Sequence, residues 1–176
     1  MWEHPAPSQS TASSPLKNMA DNAKRVAQIC DLLEAMADDL PRRPAPVWRE
    51  AALMCDEVVK KHYKSVLDVL LPVLETRIRG DEDYAAVLDR LHGDFEEEAS
   101  RLSELSALMI DALEDSRGQI GAEALGYALR GFFGALRRNV SWEMDVLLPL
   151  AKRRLNVDDL SKIRQLMKID PMTRPA

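Results

Sequence analysis

His62 and Glu143 have the types and positions to do chemistry together. His62 stands ten residues before Pro72, and Glu143 stands six residues before Pro149. The two prolines belong to a phrase that the chain says twice. Asp68-Val69-Leu70-Leu71-Pro72-Val73-Leu74 returns 77 positions on as Asp145-Val146-Leu147-Leu148-Pro149-Leu150-Ala151, and each copy follows a basic pair, Lys60-Lys61 and Arg137-Arg138. Column by column, His62 is matched by Asn139 and Val66 by Glu143. Positions four apart share a helix face, so both columns point the same way, into the interior. An imidazole and a carboxylate brought together there can form a buried polar pair in which each favours the other's charged form. They can also contribute to a metal site. The repeat itself reads as two helical hairpins packed as one bundle.

From about Asp21 to Leu155 the chain resembles the hemerythrin-like (HHE cation-binding) domain family. That resemblance implies an up-down-up-down four-helix bundle in which helices two and four each carry a His-x-x-x-Glu pair ahead of a Leu-Phe-Pro turn. A histidine near the start of helix one and another after an acidic residue in helix three complete a site for two irons. Here those positions fall on Ala23 (or Asn22), on His62 and Val66, on Phe95 after Asp94, and on Asn139 and Glu143. One ligand survives per copy of the repeat. The resemblance therefore implies a degenerate member in which His62 and Glu143 are vestigial or residual metal ligands and no cofactor is bound. The alternative is iron at a residual site that recruits His92 or Asp94. Sliding helix three by three residues puts His92 in the ligand column but spoils the fit of Asp94-Phe95; in the preferred register His92 supports Glu143 or faces solvent. Val66 and Phe95 place apolar volume where ligands would stand, which helps packing. An oxygen-carrying di-iron centre is excluded, because the chain has three histidines and one of them, His4, lies in the N-terminal tail.

The elements that must position this pair are helices. Aromatic residues make up 5% of the 176 residues and there is little Val-Ile-Thr alternation, which disfavours strands. The length suits one domain with a sizeable core. A net charge of −5 argues against nucleic acid and anionic membrane as partners. No apolar run reaches the roughly 18 residues of a membrane span, and no basic region followed by an apolar stretch marks a secretory signal, so a cytoplasmic protein is expected. Cys30 and Cys55 lack the spacing of a zinc or redox site and read as small buried hydrophobes, with a disulfide between them left open. No nucleophile with a base, phosphate loop or acid pair outside charged runs is present, so no enzyme is expected. Phosphotransfer ranks last, because the surroundings of His62 and His92 do not resemble its signature.

Taken in order, residues 1–18 read as a disordered tail, with Met19 as an alternative start. Helix one is predicted over 21–40, with Val26, Ile29, Leu32, Leu33 and Met36 inward, and ends at Pro41, Pro44 and Pro46. Helix two is predicted over 47–79, with Trp48, Ala52, Cys55, Val59, His62, Val66, Val69 and Val73 on one face and Pro72 opening its hydrogen-bond ladder. After a turn at 80–83, helix three (84–114) turns Val87, Leu91, Phe95, Leu102, Leu105 and Met109 inward; Glu96-Glu97-Glu98 reads as a solvated face. A loop over 116–121 precedes helix four (122–155), where Gly126, Gly131 and Gly134 suggest close approach to a neighbour. Asn156 caps a short fifth helix over 157–169 that presents Leu160, Ile163 and Met167 on one side, before a frayed end. The bundle thus occupies 19–155 and the added segment 156–176. The function expected is a regulatory or protein-interaction module, as a homodimer or with an unknown protein partner. The alternative is an iron/oxygen or redox sensor using the residual site.

Overall fold

The computed structural model describes residues 14–40, 45–78, 80, 82–114 and 119–169, and among them the only regular structure is helical. Five helices follow one another: α1 (Pro15–Asp38), α2 (residues 45–78), α3 (Glu82–Glu114), α4 (residues 119–154) and α5 (Val157–Ile169). None of the described helices is long and apolar enough to cross a membrane. Residues 1–13 of the expected tail lie outside the described residues, as do 41–44, 115–118 and 170–176. From Pro15 onward the expectation of a tail is corrected, because α1 begins there. Proline is tolerated at a first helical position, where its missing N–H has no intrahelical partner to lose. Met19 is fully buried one turn later, which anchors this extension.

α1 and α4 pack antiparallel. Arg137 donates to Asp31 (2.7 Å) and Glu34 (2.6 Å), while Arg130, one end further back, reaches Asp38 (3.2 Å). Space is tight at Gly126: a Cβ there would stand 3.1 Å from Arg130 Nη1 of the same helix and 3.3 Å from Leu40 Cδ1, just past the end of α1. Gly131 and Gly134 depart from the expectation, since a Cβ on either would meet nothing within 4 Å. α3 packs on both α4 and α2, reached through a turn at Gly80, whose φ of 91° a side-chain-bearing residue rarely adopts. Val26 and Leu33 of α1, Val59 and Val66 of α2, Phe95 and Leu102 of α3, and Leu129 and Leu136 of α4 belong to one buried core.

The short α5 returns to this core. Asn156 Oδ1 accepts the Asp159 N–H at 3.0 Å, and Asp159 Oδ2 accepts the Asn156 N–H at 2.9 Å, a reciprocal box that satisfies two helix-end donors. The same Asp159 carboxylate takes a forked pair from Arg77 at the end of α2, with Nε at 2.8 Å and Nη2 at 2.9 Å. Ile163 is fully buried and Met167 packs against the core.

The hydrogen-bond ladder widens by one residue at three places, Cys55–Val59, Ser65–Leu70 and Glu143–Leu147. In the second the Leu71 N–H bonds to the Val66 carbonyl, and in the third the Leu148 N–H bonds to the Glu143 carbonyl. These two wide turns are 77 residues apart and end just before Pro72 and Pro149. Proline has no N–H, and its ring crowds the carbonyl four residues back, so an opened ladder relieves the clash. The extra residue also rotates the face that follows. Val69, expected inward, is half-buried while Leu70 and Leu71 are buried; beyond the proline Val73 is buried as expected, together with Leu74 and Ile78.

Candidate functional site

His62 approaches from α2 and Glu143 from the wide turn of α4. Their side chains are 1% and 0% exposed, and Nε2 lies 2.7 Å from Oε2, within the range of a charge-assisted hydrogen bond. With Glu143 as a carboxylate, the His62 Nε2–H donates. Asn139, one turn before Glu143, is also buried. The other positions that carry the resemblance hold apolar side chains: Ala23, Val66 and Phe95 are each 0% exposed. Apolar volume thus occupies three of the positions around the bonded His62–Glu143 pair.

Two residues of this centre are not apparent from the sequence reading. Tyr63 is buried beside His62, with its ring edge-on to Phe95 at 5.3 Å between centroids. Glu98, taken above as part of a solvated run, is buried as well, whereas Glu96 and Glu97 are exposed as expected. The signal for Glu98 lies in the spacing Phe95, Glu98, Leu102, Leu105, whose steps of three and four hold it on the apolar face. Arg101 makes its burial tolerable, donating to Glu98 Oε1 at 3.0 Å and also to Glu97. Burial pushes the Glu98 carboxyl above its ordinary range, with Arg101 opposing. Burial, then the nearby Glu98 carboxylate, holds the Tyr63 hydroxyl protonated far above the usual phenol range, with the adjacent Asn139 opposing. Even so, Tyr63 Oη, Asn139 Nδ2, Glu98 Oε2, Glu143 Oε1 and His62 Nδ1 make no hydrogen bond of normal geometry.

His92 and Asp94, the candidates for recruitment, stay on the outer face of α3. His92 is partly exposed, 3.4 Å from Glu96 and 4.0 Å from Glu75, and Asp94 lies 3.9 Å from Arg90. His4 lies outside the described residues. Among the described residues, no group of three or more His, Cys, Asp or Glu side chains is placed to hold a metal ion. A di-iron centre does not fit the donor set at this position, where the one imidazole is bonded to Glu143 and the other buried carboxylate, Glu98, is paired with Arg101. Cys30 and Cys55 are buried free thiols, pushed by burial up to about 11 and about 12, and so remain protonated at neutral pH. No family model, no curated protein and no solved structure matches this chain.

Proposed function

We propose that the chain is a hemerythrin-like up-down-up-down four-helix bundle that has lost its di-iron centre and serves as a regulatory or protein-interaction module. The observation that carries this reading is the closed His62–Glu143 pair set among Ala23, Val66 and Phe95. At three of the positions where ligands would stand there is packed apolar volume, and the imidazole and carboxylate that are left bond to each other. The matched wide turns before Pro72 and Pro149 support the repeat on which the resemblance rests. A bundle without a reactive centre acts through its surface. Leu53 and Met54 on α2 and Leu108 and Ile110 on α3 are large apolar side chains exposed to solvent, and exposed apolar area of this kind suits a contact with protein. The sensor alternative needs a third ligand beside His62 and Glu143, and neither His92 nor Asp94 turns toward them.

The test is sedimentation velocity with and without a strong chelator, on the chain alone and mixed with cell extract. A defined dimer or a discrete complex, unchanged by chelator, is expected. A monomer that binds nothing and loses helix content in chelator overturns the reading.

A further inference from the structure

We propose that the polar centre is a hydration site, in which one internal water molecule is held by Tyr63, Glu98, Asn139 and Glu143. These side chains come from three helices, α2, α3 and α4, and their residues are 2%, 5%, 5% and 0% exposed. Each presents one buried polar atom without a hydrogen-bond partner. Tyr63 stands among them: its ring lies edge-on to Phe95, one turn before Glu98 on α3, and it adjoins His62, which bonds to Glu143, one turn after Asn139 on α4.

The inventory of these atoms has a definite polarity. Tyr63 Oη and Asn139 Nδ2 carry hydrogens to donate, while Glu98 Oε2 and Glu143 Oε1 are carboxylate oxygens that accept. A water molecule offers the complement, two lone pairs and two hydrogens in a tetrahedral arrangement. Buried polar groups left over by protein–protein bonding are where internal waters with about three or four partners reside. His62 Nδ1, the remaining orphan of the centre, is not part of the set. The water would continue a line of hydrogen bonds from Arg101 at the surface through Glu98 to Glu143 and His62. The buried pair would then be linked to solvent without being exposed to it. The inference stands apart from what the bundle binds, since it concerns only atoms inside it.

A crystal structure of the full chain, together with water-to-protein magnetisation transfer in solution, tests the site. Expected is a density peak about 2.7–3.0 Å from these four atoms, with transfer from water to the Asn139 side-chain amide. In Tyr63→Phe, which keeps the ring on Phe95, that transfer should fall several-fold. Direct bonding of Tyr63 to Glu98 with no peak between them overturns the proposal. So does a peak at about 2.0–2.4 Å with Asn139 turned oxygen-inward, because those are cation distances. Unchanged transfer in Tyr63→Phe overturns it as well. If that variant does not fold, the wild-type density and transfer decide.

Discussion

Around Pro72 in α2 and Pro149 in α4 the ladder widens at matching residues, Val66 in one copy and Glu143 in the other. The side chains that face the centre from those two stretches differ completely. The first copy offers His62 and Val66, the second Asn139 and Glu143. A wide turn needs only the proline that each copy keeps, whereas the di-iron site that the resemblance implies would need ligands in both columns of both copies. The backbone can therefore repeat while the chemistry is shared out, the imidazole in one copy and the carboxylate in the other. The pattern extends to the helix ends. Arg77 and Arg154 also stand 77 apart; Arg77 grips Asp159, and Arg154 lies over the Tyr84 ring at 5.3 Å.

The contrast can be broken most severely at the centre. Glu143→Val makes the second copy resemble the first and strands His62 in an apolar interior, so a loss of about 3–5 kcal/mol is expected in urea denaturation. His62→Leu with Glu143→Leu removes both polar groups, and stability close to or above that of the wild type is expected. At the helix ends, Asp159→Ala removes the acceptor of Arg77 and half of the capping box, with an expected cost of about 1–2 kcal/mol. The Arg77 hydrogen bonds hold the Asp159 carboxyl below its ordinary value. Its contribution is therefore present above the unfolded carboxylate pKa and lost as pH falls through the lowered one. The gap between wild type and variant should close only in acid, below the ordinary value of 3.8.

The backbone likeness is sharpened by Pro72→Ala and Pro149→Ala. Each should lose about 0.5–1 kcal/mol, and by similar amounts, because both prolines favour the same opening. Clearly unequal losses would mean that the matched turns have different causes. The smallest effect is expected at Glu98. Burial raises its carboxyl pKa, so the folded state holds the proton longer, and stability falls as pH rises from the ordinary carboxylate value through the raised one. Glu98→Gln should flatten the stability profile in that window when unfolding is followed by circular dichroism.

Much of this is legible in the sequence. The period of Val26, Ile29, Leu33 and Met36 and that of Leu91, Phe95, Leu102 and Met109 place two helix faces, and every one of these residues is buried. The columns of the repeat bring His62 and Glu143 together. What stayed hidden has physical causes. A regular helix turns neighbours about 100° apart, so Tyr63 beside an inward His62 would face away. Both lie in a regular stretch, Lys60–Lys64, and both are buried, so the covered face of α2 is wide enough there to take two neighbours. The face inside the wide turn ahead of Pro72 depends on how far the ladder opens, which packing decides, and so Leu70 rather than Val69 is buried. Glu98 was masked by its two acidic neighbours. Gly131 and Gly134 mark no close approach, because a glycine signals missing volume without saying whether a neighbour fills it.

The central claim is that His62 and Glu143 bond to each other in place of a metal. Its most direct test is metal content by mass spectrometry of protein purified anaerobically with ferrous iron supplied, beside a His62→Ala control. The account expects far less than one equivalent, the same in both. Near one equivalent in the wild type, lost in His62→Ala, would contradict it.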